Sequence, residues 1–240
     1  MSEGQEKSVG WDGGPTLGLV LGIDTCGPAG SVALGRFAGD SLEVVGEMEL
    51  EGRSYSATLV AAVGELLKGA GAVLKDVSAI VAVNGPGSFT GVRVGLSAVK
   101  GLAEGFQTPV TAVSRLEVLA AKARVGSAVL DAHRHEVFLR LGGTLVEARE
   151  LLAGAEELAA IHWTGAVAVC DESAWDLLRA AWPGAELVRC AAPTAGDALR
   201  ICASRLAAGK FVDLALLDGH YLRRSDAEIF GEAAAGTRGA

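Results

Sequence analysis

The chain has 240 residues, half of them hydrophobic, with 29 acidic against 21 basic residues and a formal net charge of −8. That length supports one large domain or two small ones with a real core, and the hydrophobic content excludes a disordered chain. The charge excludes a broadly basic nucleic-acid binder, whose grip on phosphates comes from Lys and Arg, but leaves room for a local basic patch.

Residues 1–15 hold Glu3, Glu6 and Asp12 among Gly and Ser, without the basic start and apolar stretch of a secretion signal, and read as a disordered leader. Residues 17–24 are an apolar run ending in Asp24. They read as a buried strand, far short of the ~20 apolar residues of a membrane span. A turn at Cys26-Gly27-Pro28-Ala29-Gly30 leads into a second strand at 31–34. Leu42, Val44, Met48 and Leu50 share one parity and Glu43, Glu47 and Glu49 the other, which predicts a half-exposed third strand. The period then changes. Leu59, Val60, Val63, Leu66, Leu67 and Ala70 recur at helical spacing. A strand at 79–83, a helix at 92–106 and a strand at 109–113 follow, and Ser114 with Glu117 predicts a capping box for the next helix.

From Ser127 the plan repeats. Residues 128–131 form an apolar strand ending in Asp131, 132–136 a reversal and 137–141 a returning strand, with a third strand near 144–146. A helical segment at 148–160, a strand at 166–170, a helix at 173–181, a strand at 187–190 and a helix at 196–208 complete the pass. Two strand-rich passes imply an internal duplication, with halves at 16–125 and 126–225 and a flexible, Gly- and Ala-rich tail at 226–240. By analogy of plan this is an α/β protein of two actin-like ATPase, ribonuclease H-like halves (the ASKHA-type fold), each a mixed sheet with flanking helices.

The strongest local signal is Asn84-Gly85-Pro86-Gly87-Ser88-Phe89-Thr90-Gly91, between a strand and a helix. Thr90 reads as the helix N-cap, and backbone amides at such a start can hold an anion. Gly85, Gly87, Ser88 and Thr90 are therefore a candidate anion or nucleotide loop. A tight structural crossover is the favoured alternative, because the spacing matches neither a Walker loop nor the dinucleotide fingerprint. Asp24 and Asp131 end the strands that open each half, where actin-like ATPases keep carboxylates for metal and water. Without further charged groups beside them they read as structural carboxylates that satisfy turn amides. His133 and His135 flank Arg134 at a turn with no third ligand, which favours a solvated turn over a metal site. Cys26, Cys170, Cys190 and Cys202 have no metal or disulfide spacing and read as buried thiols in a reducing cytoplasm.

Several stretches resemble the TsaB (YeaZ) family, a glycoprotease-like group. They are Ile23-Asp24-Thr25, Ser31-Val32-Ala33-Leu34, Gly85 through Gly95 with Lys100-Gly101-Leu102-Ala103, Asp131-Ala132 with Glu136-Val137-Phe138, and Tyr221-Leu222-Arg223-Arg224. The resemblance implies a non-catalytic scaffold subunit that binds no metal or cofactor by itself. Its complex places a threonylcarbamoyl group on the adenosine beside the tRNA anticodon. It implies pairing with the catalytic paralogue TsaD and the ATPase TsaE, which use the ATP, Mg and metal; tRNA is reached through the complex, and no membrane is involved. TsaD holds its metal partly through a His-x-x-x-His pair, and Arg115 and Leu119 stand at those two places here. Neither side chain is a metal ligand. Tyr55 stands near a place where many members carry His. The resemblance also implies that first-half helices pair with TsaD, or with a second copy as a homodimer. The residues expected there are Leu59, Val63 and Leu66 of one apolar face and the small stripe Gly91, Gly95 and Ala98. The competing readings are that these faces only cover the sheet, and that the chain is a stand-alone ATP-binding, kinase-like protein or a glycoprotease-type metallopeptidase.

Overall fold

The structure, a computed structural model, describes residues 18–223 apart from 40, 52–54 and 144–145. The leader 1–15, the tail 226–240 and the start expected for the third strand of the second half lie outside the described residues.

Leu19–Asp24 (β1) is buried along its whole length, because it lies at the centre of its sheet with helices packed over it. It pairs antiparallel with Ala29–Ala38 (β2), which pairs antiparallel with the edge strand Ser41–Glu51 (β3). Helix Tyr55–Gly69 (α1) leads to Val77–Val83 (β4), parallel to β1, and Phe89–Phe106 (α2) leads to Val110–Val113 (β5), parallel to β4. Arg115–Lys122 (α3) closes the first pass. The second runs through Ser127–Asp131 (β6), Val137–Gly143 (β7), Val146–Ala153 (β8), Ala155–Ala160 (α4), Ala166–Val169 (β9), Glu172–Ala181 (α5), Glu186–Arg189 (β10) and Ala195–Ala207 (α6). The sheets have orders β3-β2-β1-β4-β5 and β10-β9-β6-β7-β8, the same order read from opposite ends, with the same parallel and antiparallel pairings. The duplication is therefore structural, and the fold is the expected pair of actin-like, ribonuclease H-like halves.

The two closing helices cross over. α1 and α2 pack on the first sheet, while α6 supplies Ala195, Ala198, Leu199, Cys202 and Leu206 to that same core. Gly22 of β1 makes room, since a Cβ there would lie 2.9 Å from Leu199 Cγ. Conversely, α3 packs Leu116, Leu119 and Ala120 against Ala128, Leu130, Phe138 and Ala168 of the second sheet. α4 and α5 belong to a separate cluster of that sheet, with Leu158 and Leu178 packed with Val129, Leu139 and Val167. The boundary at 125/126 thus separates two sheets but not two packing units.

Four local expectations are corrected. The helix expected at 148–160 is strand up to Ala153, and only Ala155–Ala160 is helical. Glu-Ala-Arg-Glu-Leu-Leu favours helix locally, but pairing with β7 from Val146 to Ala153 satisfies its backbone in the sheet. Thr90 does not cap α2: the helix starts at Phe89, and Ser88 Oγ accepts the Gly91 N–H at 3.3 Å. Ser114 caps α3 by accepting the Leu116 N–H, but Glu117 pairs with Arg205 and forms no box. In β3, Gly35 pairs with Val44 and Leu34 with Gly46, so Val45 is an unpaired bulge. Leu42 consequently lies near Leu199 of α6 and Gly46 near Leu66 of α1, which divides the one-parity stripe between two sheet faces.

Among the described residues no helix is long and apolar enough to cross a membrane.

Candidate functional site

The loops after β1 and β4 meet the start of α3 at the end of the first sheet. Asp24 is 1% exposed and Arg115 5%. Asp24 Oδ1 accepts the Cys26 N–H at 2.8 Å, and Oδ2 accepts Arg115 Nε at 3.1 Å. Burial works against the charge on Arg115, but the Asp24 carboxylate, together with Cys26 and Cys170 nearby, outweighs it and moves its pKa up. Gly27 lies against the guanidinium, where a Cβ would fall 2.3 Å from Arg115 Nη2. Tyr55 OH donates to Gly27 O at 2.8 Å, and burial, with Asp24 nearby, pushes its pKa up to about 12. The aromatic ring at this place therefore anchors the 24–27 turn from below. The Cys26 thiol, also buried there, is pushed well above its ordinary value.

The Gly-rich loop closes over this turn. Ser88 N–H donates to Cys26 O at 2.8 Å, and Thr25 Oγ1 donates to Gly91 O at 2.7 Å. A Cβ would lie 2.2 Å from Cys26 O at Gly87, 2.1 Å from Thr25 O at Gly91 and 2.2 Å from Thr25 Oγ1 at Gly95. The glycines are thus explained by close backbone packing within the chain. Gly85 O accepts the Arg115 N–H, Ser88 Oγ caps α2, and Thr90 is exposed. Of the two readings left open for Gly85, Gly87, Ser88 and Thr90, this geometry favours the structural crossover.

The second half repeats the device. Asp131 ends β6 and accepts the His133 N–H at 2.8 Å, two residues on, as Asp24 does. Its own N–H donates to Asp171 Oδ2 at 2.9 Å. His133, Arg134 and His135 are all exposed and all left-handed, with φ of 59°, 56° and 61°. Three such residues in a row are costly without glycine. The turn is held by Asp131, by the Glu136 N–H to His133 O bond and by Arg223, which also pairs with Glu136. Cys26 and Cys202 are buried as expected, but Cys170 and Cys190 are only half-buried, at the ends of β9 and β10. Burial, and then Asp171, pushes Cys170 up to about 12.

Between the halves lies a cleft of about 760 Å³, walled by Phe89, Arg115, Asp131, Phe138, Asp171 and Tyr221 among others. The segment after α6 returns along it: His220 N–H donates to Asn84 O and Arg223 reaches the 133–136 turn. Phe89 and Tyr221, which line it, and Arg93, which lies over the Phe89 ring, are residues that sequence reasoning did not single out as a site. The i, i+4 spacing of Phe89 and Arg93 is a signal for their contact, but nothing local joins them to Tyr221. Among the described residues no group of three or more His, Cys, Asp or Glu side chains is placed to hold a metal ion.

The chain is similar to a crystallised Pseudomonas aeruginosa protein with similarity to the peptidase YeaZ. The match is 30% identical, covers 86% of this chain and 100% of that one, and has a TM-score of 0.69. The chain belongs to the TsaB/YeaZ family. YeaZ of P. aeruginosa itself superposes with a TM-score of 0.68 at 28% identity, again covering 86% of this chain and 100% of that one. Curated relatives are named tRNA threonylcarbamoyladenosine biosynthesis protein TsaB. The Bacillus subtilis protein is 36% identical over 51% of this chain and 54% of its own length, and the Escherichia coli protein 36% over 50% and 52%. The chain thus spans about half the length of the curated relatives it matches. The family model of TsaD, tRNA N6-adenosine threonylcarbamoyltransferase, matches residues 49–167.

In this TsaB-family chain the residues expected at a partner surface pack largely on the first sheet. Leu59 and Val63 are buried in the first core, and Leu66 packs half-buried against it. Gly91 and Gly95 face Thr25, and Ala98 is half-buried in the same cluster. Leu59, Val63, Gly91 and Gly95 are used inside the chain because the apolar faces of α1 and α2 cover the first sheet, while Leu66 and Ala98 stay partly exposed. Among the residues α1 turns outward are Ala57, Val60, Ala61 and Gly64, with Val60 63% exposed, beside Ser56, Glu65 and Lys68; α2 turns outward Ser97, Gly101 and Gly105 beside Arg93 and Glu104.

Proposed function

We propose that this chain is a non-catalytic subunit in the formation of threonylcarbamoyladenosine on tRNA, paired with TsaD and joined by TsaE. Family membership and the names of the curated relatives support the pathway. The observation that carries the non-catalytic reading is the Asp24–Arg115 pair. The resemblance puts two metal-binding histidines of TsaD at Arg115 and Leu119. Here one place holds a buried guanidinium tied to a carboxylate and the other a fully buried leucine. Neither offers a lone pair to a metal or a base to a substrate.

The outward faces of α1 and α2 support the partner role, with TsaD or a second copy as occupant. Gly64, Gly101 and Gly105 have open space where a Cβ would be. A helix-interior glycine costs roughly 0.5–1 kcal/mol against alanine, and this fold gains no packing from these three. Close approach of a partner helix is the compensation that fits.

The test is reconstitution with tRNA and threonylcarbamoyl-AMP. The chain alone should transfer nothing, and TsaD should be active only with it. Val60→Glu and Gly101→Arg, both at exposed positions, should leave the circular dichroism unchanged and abolish TsaD binding and any homodimer together, since a desolvated interface charge costs several kcal/mol. Transfer by the chain alone would refute the non-catalytic role. Wild-type TsaD affinity in both variants would move the interface elsewhere.

A further inference from the structure

The groups at the cleft mouth are not needed for the partner role. On one lip, Phe89 and Tyr221 stay 37% and 39% exposed, with ring centroids 5.1 Å apart. Arg93 sets its guanidinium 3.8 Å over the Phe89 ring. On the other lip, the left-handed turn presents His133, Arg134 and His135 to solvent. Phe89, Tyr221, His133, Arg134 and Arg223 all line the same cavity. In a chain of net charge −8, this gathers aromatic rings and basic side chains around one opening, with Arg223 paired to Glu136 and His133 3.2 Å from Asp131.

The pairing of those groups selects the ligand. An apolar ligand would use the rings and leave the cations idle, and an inorganic anion would do the reverse. A nucleotide uses both, because its base has a face to stack and its phosphate attracts guanidinium groups. The half-buried Asp131 and Asp171 also line the cavity. They would repel a phosphate at the inner wall and accept hydrogen bonds from base or ribose, which orients the phosphate toward the lip. A base inside a duplex has no free face, so the strand must be unpaired there. The opening holds about 760 Å³, a volume in the range of sites for small ligands and enough for one such unit.

We propose that this cleft mouth binds one unpaired nucleotide of single-stranded RNA, with its base on Phe89 and Tyr221 and its phosphate toward Arg93 and Arg134. The inference rests on the tRNA-linked role only for the choice of RNA as the source of the nucleotide.

Fluorescence anisotropy of a short labelled oligoadenylate with the full chain tests it. Binding should weaken as salt rises. Phe89→Ala and Tyr221→Ala should each weaken it roughly tenfold, the scale of one lost stacking contact. Phe89→Tyr keeps a ring and should bind within about twofold of wild type, which separates stacking from misfolding. Arg134→Glu should weaken binding and flatten its salt dependence. The same oligomer in a duplex should bind less tightly. Adenosine monophosphate that binds as tightly as the oligomer would reassign the cleft to free nucleotides and overturn the RNA assignment. Absence of oligomer binding, or unchanged affinity in both alanine variants, overturns the site itself. TsaD binding is measured on the same samples. Wild-type chain that pairs with TsaD yet binds no RNA would sink this inference alone, whereas RNA binding without TsaD pairing would sink only the partner role.

Discussion

Asp24 and Arg115 illustrate how one side chain changes the character of a site. They are 91 residues apart in sequence and meet in the interior, where each is tolerable only because of the other. Asp24→Ala would leave a guanidinium buried and unpaired, and should cost about 3–5 kcal/mol. Replacing both, as Asp24→Leu with Arg115→Leu, should recover most of that loss, because a buried ion pair contributes little net stability against apolar residues of similar size. Urea unfolding of the three proteins decides it. A double variant as unstable as Asp24→Ala would show that the pair also holds the 24–27 turn through bonds that leucines cannot replace. Tyr55 belongs to the same turn, and its hydroxyl bond to Gly27 O gives a reason for an aromatic ring there. No alternation or helical period signals either contact.

Among the elements, the exchange of α3 and α6 matters most for stability. Leu199 belongs to the last helix but is fully buried on the first sheet, and Leu119 belongs to the first pass but is fully buried on the second. Each substitution to alanine should cost about 2–5 kcal/mol. Hydrogen exchange should locate the damage across the sequence boundary: Leu199→Ala should lower protection first in β1 and β4, and Leu119→Ala in β6 and β7. Loss confined to the half that carries the substitution would contradict the exchange. The sequence reading recovered most strands and helices to within a few residues, because period 2 and period 3.6 are properties of a single segment. It cut β8 short at 146, because the helix-favouring residues that follow are held extended by β7, and it missed the bulge at Val45, although Gly46 beside it is the kind of residue that marks one.

At the scale of the molecule, the halves are tied together at Glu150. This β8 carboxylate accepts Ser114 Oγ at 2.6 Å from the start of α3 and Arg140 Nη1 at 2.7 Å from β7. His220 Nε2 of the returning segment lies 2.9 Å away. Burial raises its pKa, but His220, Ser114 and Arg140 together outweigh burial and leave it below the ordinary carboxylate value. A carboxylate with a lowered folded pKa contributes stability that is present above its unfolded pKa and is lost as pH falls through the folded value. Glu150→Gln should therefore be less stable than wild type at neutral pH, and the gap should close on acidification. Thermal melts across that range check it, and a gap that widens as pH falls would reverse the assignment.

The sequence by itself determined the duplicated α/β plan, the strand-ending carboxylates Asp24 and Asp131, and the family, because these are carried by short contiguous patterns and their order. Only the tertiary structure decided which side of α1 and α2 is left open. Leu59 and Val63 mark an apolar face, yet whether a face meets the chain's own sheet or a partner depends on elements far away in sequence. It also decided that Gly87, Gly91 and Gly95 serve the approach of the 24–27 turn. The meeting of Phe89 with Tyr221 at the cleft mouth was decided there too, since the chain must complete both sheets before its last segment can return to the first loop. Hydrophobic period records that a residue needs cover; the packing of distant segments determines what supplies it.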